Sequence, residues 1–340
     1  MKTKILLALV SSLIIHHSAF SQGALTPPGA PAPTMRTLDQ LDAKLEKRTP
    51  ISSLPFAIMN SGSYYLTTNL TQSGSADGIS IQADNVSLDL NGFSLISGGE
   101  GGTAIINPSS HFNLHIHNGK ILGWNGGSIA LNSATTEAAL ENLQCHGLQS
   151  SAATNVILGG QSRISRCQIT RINGLALMTA NRCHIEDCQC VLNGGGGMIV
   201  GDECQIVNSI VKQNIGGWGI KTGNNCIIRG NIISGNASGV SVRTACTITE
   251  NQIENNNFGA GQSGLLLNDR FNRVENNVIL FNGSFGITSI SGATNNLIIR
   301  NFVASHSSTN FGFVGAQILG PIVSTVGDIT NSNPWANFSF

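Results

Sequence analysis

The 340 residues carry 18 basic and 18 acidic side chains, a net charge of zero with histidine neutral, and only 11% of positions are charged. That balance excludes a partner held by bulk electrostatics, such as nucleic acid or an anionic membrane surface. Forty glycines and 5% aromatic residues describe a chain that turns often around a long aliphatic core.

Residues 1–21 open with Lys2 and Lys4, continue as the apolar run Ile5 to Ile15, and close on Ala19-Phe20-Ser21. This is the pattern of a secretory signal peptide cut after Ser21. The run is too short to span a bilayer, and no later stretch reaches 18 apolar residues, so a secreted, periplasmic or cell-surface protein without a membrane span is expected. Removing Lys2 and Lys4 leaves 16 basic against 18 acidic residues, a charge of −2.

Residues 22–36 are rich in Pro and Ala and read as a linker. Over 37–49, Leu38, Leu41 and Leu45 fall on one helical stripe, with Asp39 and Asp42 early and Lys44, Lys47 and Arg48 late, which suits a helix dipole. A short amphipathic helix ended by Pro50 is predicted, placed to cap a first coil. Ile51 to Thr71, with Ser63-Tyr64-Tyr65-Leu66, reads as the first strands.

From Cys183 onward one phrase is written four times. Cys183-His-Ile185-x-x-Cys188-x-Cys190-x-x-Asn193 is followed by the copies beginning at Cys204, Cys226 and Cys246, each closing on a glycine and an apolar residue: Gly197-Met198, Gly219-Ile220, Gly239-Val240 and Gly264-Leu265. A period of 20 to 26 residues means a stack of like supersecondary units. Ile228 and Cys226 lie two apart on one strand face; a break of three at Asn231 and a resumed apolar Ile233 describe a strand that turns sharply with its side chains still inward. The break residue is expected to take a left-handed conformation. The register extends outward, with Leu90, Ile116, Leu140, Ile164, Ile185, Ile206, Ile228, Ile248, Val274 and Ile298 in one inward column. About ten coils follow, with asparagines stacked at the turns.

This pattern resembles the right-handed parallel β-helix repeat of the pectin-lyase-like superfold over about Val86 to Phe313. An all-β, single-domain solenoid over 50–313 is implied, followed by a cap or tail at 314–340. Leu88-Asp89-Leu90-Asn91-Gly92-Phe93, Gly62-Ser-Tyr64-Tyr65-Leu66 and the ending Asn333-Pro334-Trp335-Ala336-Asn337-Phe338 are similar to a group of exported bacterial β-helix proteins of unassigned function. The resemblance implies a fold and no one reaction.

Cys183, Cys204, Cys226 and Cys246 recur once per coil at an inward position. Free thiols acting as small apolar side chains and strained disulfides both fit that column; a four-thiolate zinc site does not, because the sulfurs are strung along the axis. The candidate chemistry lies earlier. Asp89 and Asn91 point outward in one coil, His115 and His117 are expected at the equivalent positions in the next, and Glu141 in the one after. His-x-His on a strand puts both imidazoles on one face, as a general acid–base pair or a metal-ligand pair requires. The outward positions after the Gly-apolar pair, where enzymes of this superfold carry their carboxylates, read Ala176, Ile199, Lys221, Ser241, Leu266 and Thr288 and hold no acid. The Asn-Thr-Asp, Asp-Asp, Gly-His-Gly and Arg-Ile-Lys signatures of the polygalacturonases are missing too. Trp124 and Trp218, each beside glycines, are candidates to stack on a sugar ring.

The leading reading is an exported monomer without a cofactor, a non-catalytic surface or matrix protein that binds carbohydrate along its long side. Two others compete: a polysaccharide lyase, hydrolase or epimerase using Asp89, His115, His117 and Glu141, and a periplasmic metal-binding protein using His115 and His117.

Overall fold

The computed structural model describes residues 47–148, 152–257, 262–325 and 333–340, together with Thr37. The chain divides into Met1–Lys47 and Arg48–Phe340. The expected signal peptide and linker, and most of the expected helix, lie outside the described residues. Where the helix was expected to end, Thr49 and Pro50 instead belong to the first strand, Thr49–Ile51. Among the described residues there is no helix, and none that could cross a membrane.

The described residues from 48 onward wind as a parallel β-solenoid of about eleven coils, one more than the repeat suggested. Among the described residues, twelve strands, from Phe56–Ile58 to Thr309–Gly312, form a narrow sheet. The other twenty-four strands among the described residues form a wide sheet creased lengthwise, to which most coils give two strands. Its leading wing holds Val86–Asp89, Arg163–Ser165, His184–Glu186 and their successors; its trailing wing holds Gln168–Thr170, Gln189–Val191 and theirs. Leu114–Leu122 and Ala139–His146 run through the crease as single long strands. Among the described residues every pairing between strands is parallel, for example Ile185 on Ile206 and Ile206 on Ile228. Alternation along each strand sends Ile164, Ile185, Ile206, Ile228 and Ile248 into the interior, where all five are fully buried. Each contributes about 1.5–3 kcal/mol by leaving water.

The corners are built from residue pairs. The left-handed residue stands one place before the expected break: Asp187, Asn208, Gly230, Glu250, Asn276 and Arg300 have φ between 51° and 68°. The residue after each is Cys188, Ser209, Asn231, Asn251, Asn277 or Asn301, and it is buried. The left-handed turn swings one side chain to solvent and the next one inward, so the ladder residue itself needs no unusual φ. Asn251 shows the ladder's logic: its amide donates to Asn277 Oδ1 (3.0 Å) and Ile228 O (2.8 Å), while its Oδ1 accepts from the backbone and amide N–H groups of Asn231 (both 3.0 Å). A second corner carries Asn193, Asn214, Asn236, Asn256 and Asn282. The third carries Cys183, Cys204, Cys226 and Cys246 and then Asn272 and Asn296. All eight cysteines are buried and free.

The tail extends the ladder. Asn337–Ser339 pairs with Phe302–Ala304, and Asn337 continues the asparagine column by accepting from Asn301 N–H at 3.0 Å. Trp335 stays 47% exposed, with the Arg300 guanidinium 4.4 Å from its ring centre.

Candidate functional site

The leading wing collects the polar residues that the sequence singled out. Its register pairs Ser87 with His115 and Asp89 with His117, then His115 with Ala139 and His117 with Glu141. Asn91 is therefore not equivalent to a histidine, since it occupies a left-handed corner at φ 52°. Strand alternation turns Asp89, His115, His117 and Glu141 outward together.

They form a continuous row. Arg48 Nη1 donates to Asp89 Oδ2 at 2.8 Å, with its guanidinium 4.5 Å from the centre of the Tyr65 ring. Asp89 Oδ1 accepts the Asn91 N–H at 2.7 Å and stands 3.7 Å from His117 Nδ1. The His117 and His115 rings stack with centres 4.2 Å apart, and His115 Nε2 meets Glu141 Oε2 at 3.4 Å. Glu141 is also bound by Arg166, whose Nε donates to Asn142 Oδ1. Beyond it, Arg163 and His184 both hold Glu186. Burial holds the His117 imidazole below its usual range, and His115 adds to this, against the opposing pull of Asp89 and Glu141. The Arg163 and His184 hydrogen bonds hold Glu186 below the usual carboxylate range.

Beside the row lies a depression of about 520 Å³ lined by His115, Glu141, Arg163 and Arg166 among others. It combines two guanidinium groups with an imidazole and a carboxylate. Arg163 and Arg166 were missed from the sequence; Arg163 pairs with Ala139 and Ser165 with Glu141, so the two arginines flank the residue in register with Glu141. Stacked imidazoles do not converge on one ion, and among the described residues no group of three His, Cys, Asp or Glu side chains could hold a metal.

A larger groove of about 740 Å³ crosses the narrow sheet. Its floor is the in-register column Ile199, Lys221, Ser241 and Leu266. The residue before Ile199 in the column is Met178, 38% exposed, and not Ala176, which is buried in the core. Trp218 stands at one rim, three coils below Phe285 in the same column. Arg243, Asp202 and Asp269 stand at the other. Both acids are committed to turns: Asp202 Oδ1 accepts the Asn224 N–H at 2.7 Å, and Asp269 accepts from Thr244 Oγ1 (2.7 Å) and the Arg270 N–H (2.9 Å). The Thr244 hydroxyl and Arg270 N–H hold Asp269 below its usual range.

Trp124 corrects an expectation. It is 1% exposed, with Nε1 donating to Leu95 O at 3.2 Å, and it packs where Gly78 and Gly101 leave room. It is a core residue and offers no ring to a ligand.

Residues 101–258 match the family described as a right handed beta helix region. The chain is a right-handed parallel β-helix repeat protein. Its solenoid is similar to the periplasmic alginate epimerase AlgG, at 11% identity over 77% of this chain and 75% of that one, with a TM-score of 0.53. It is also similar to the A-module of the mannuronan C-5 epimerase AlgE4 of Azotobacter vinelandii (13% identity, 82% and 91% covered, TM-score 0.48). The Dettilon tailspike protein is a third such structure (15%, 82% and 61%, TM-score 0.45). At these identities the likeness concerns the β-helix fold. No curated protein matches the chain.

Proposed function

We propose that this β-helix protein acts on an acidic polysaccharide, cleaving it by β-elimination on the outer face of the leading wing. The carrying observation is the convergence of Asp89, His117, His115 and Glu141 from three successive coils, beside a depression lined by Arg163 and Arg166. Elimination needs a base for the proton next to the uronate carboxyl, positive charge to steady that carboxyl, and an acid for the departing glycosidic oxygen. A depressed pKa leaves His117 neutral and able to accept the proton. The neighbouring His115, held by Glu141, returns one to the leaving oxygen, and the guanidinium groups face the carboxylate. Both imidazoles rise from one face, which suits elimination with proton and leaving group on the same side of the ring. Epimerisation would need groups on opposite sides. Hydrolysis would need a protonated carboxylic acid, whereas Asp89 and Glu141 each sit against a cation. In this reading residues 1–21 export the chain to its polymer, and the likeness to a periplasmic alginate epimerase supports the same substrate class.

The test is ultraviolet absorbance of the unsaturated product from a panel of polyuronates. Turnover that disappears in His117→Ala, with strand content unchanged by circular dichroism, supports the reading; no turnover on any polyuronate defeats it.

A second reading rests on the groove of the narrow sheet. Trp218, Lys221 and Arg243 offer an aromatic platform and two cations without a free acid, which suits holding an anionic polymer unchanged. Retardation in a polyuronate-loaded gel, lost in Trp218→Ala, supports it; equal mobility with and without polymer counts against it.

A further inference from the structure

The four thiols of Cys183, Cys204, Cys226 and Cys246 form one corner column, and Cys167 and Cys188 stand in another. The strands that follow them pair His184 with Gln205, Gln205 with Ile227, Ile227 with Thr247, and Gln168 with Gln189. Each cysteine therefore stands directly above the last, about 4.8 Å along the axis. The side chains lean the same way: Sγ of Cys183, Cys204, Cys226 and Cys246 each donate to a carbonyl of the preceding coil at 3.2–3.3 Å. Cys204 Sγ also lies 3.3 Å from the backbone nitrogen of Cys183.

The choice of thiol is itself informative. In the next two coils the first column is asparagine, and Asn272 donates to Asn296 Oδ1 at 2.9 Å. The position thus accepts an amide, which makes stronger bonds than a thiol. Four consecutive coils give that up for a side chain whose distinctive chemistry is oxidation.

We propose that Cys183–Cys204, Cys226–Cys246 and Cys167–Cys188 are sites of disulfide formation, three vertical staples that each join one coil to the next. A separation of about 4.8 Å lies within the Cα spacing that a disulfide spans, roughly 4.4–6.8 Å. Four thiols in a line pair without remainder in one way only, so Cys204 does not bridge to Cys226. Cys145 and Cys190 are left out. Both stack on Ile169, one coil to either side, which sets them about 9.6 Å apart, beyond a bridge's reach. Burial also pushes the Cys145 thiol up to about 12 and raises Cys190.

Each bridge breaks two S–H bonds and forms one S–S bond. The two electrons and two protons pass to an oxidant of the disulfide class, whose own S–S bond opens to two thiols. Because the six thiols are at most 3% exposed in the closed coil, exchange occurs while the coils assemble.

The test uses the full chain, reduced in denaturant and refolded with oxidised and reduced glutathione. Free thiols are blocked in denaturant with N-ethylmaleimide; the sample is then reduced, labelled with iodoacetamide and mapped by mass spectrometry. Only samples whose circular dichroism matches protein refolded with reductant are scored, and protein recovered directly from an oxidising compartment is mapped in parallel. The expected result is iodoacetamide at Cys167, Cys183, Cys188, Cys204, Cys226 and Cys246, N-ethylmaleimide at Cys145 and Cys190, and an intact mass lower by two hydrogens per bridge. Maleimide at all eight positions overturns the proposal, as does a bridge that includes Cys145 or Cys190 or joins Cys204 to Cys226.

Discussion

His306 accepts the backbone N–H of Asn282 through Nδ1 at 3.1 Å, standing where the coils of Asn193, Asn214, Asn236, Asn256 and Asn282 carry an asparagine side chain. Its Nε2–H donates to Ile279 O at 3.2 Å, so the bonded ring is the neutral tautomer. Burial holds its pKa below the ordinary 6.5. The unfolded chain therefore takes up a proton at a pH where the folded chain resists it. The stability is fully present above about pH 6.5 and is lost as pH falls towards the folded-state value. The melting temperature should drop between about pH 7.5 and about pH 5, and less steeply in His306→Asn. His117 and His146 shift in the same direction, so part of the slope should remain. An unchanged slope in the variant would show that the ladder end does not titrate.

Asn251→Ala should cost about 3 kcal/mol. The substitution strips the acceptor from the Asn231 N–H and amide and the donor from Ile228 O, all buried between coils. Urea unfolding measures it, against Thr247→Ala on the outer face as the control. A loss equal to the control's would mean that the amide column adds nothing beyond packing.

The interior was legible because its period is rigid: Ile185, Ile206, Ile228 and Ile248 repeat every 20 to 22 residues, and only stacked coils bury them all. The corners were legible to within one residue. Asn208 and Ser209 are both small and polar, and only backbone geometry shows that the first is left-handed and the second buried. The row from Asp89 to Glu141 followed from strand alternation, but its offset did not: the bend after Leu90 places Asn91 at the corner, and Ser87 becomes the partner of His115. Arg163 and Arg166 were passed over because charge at a solvent-facing position has no signature until a neighbour meets it.

Trp124 lies outside the four clear repeats, and its setting is written in residues far away. Gly78 and Gly101 would each carry a Cβ within 2.7–2.8 Å of the indole, so their lack of a side chain makes the cavity it fills. Trp124→Ala should cost about 3–5 kcal/mol, read as a lowered urea midpoint. Trp218→Ala should leave that midpoint nearly unchanged and abolish polyuronate retardation, because its ring borders the groove. Equal destabilisation by the two would deny Trp218 a surface role.

The ionisation of His117 provides a test of the row that needs no substrate. Burial and the adjacent His115 lower its pKa, while Asp89 raises it. Removing one neighbour or the other should therefore move its titration in opposite directions. Followed by the ring-proton resonance in NMR, His117 should titrate below 6.5 in the parent protein. His115→Gln should move the midpoint up, and Asp89→Asn should move it down, the second effect reinforced by leaving the Arg48 charge uncompensated. If elimination runs through neutral His117, the acid limb of turnover should follow the same midpoint, because protonation removes the base. Midpoints that fail to diverge would mean that the stacked rings and Asp89 do not share one electrostatic environment, and the acid–base role would lose its physical ground.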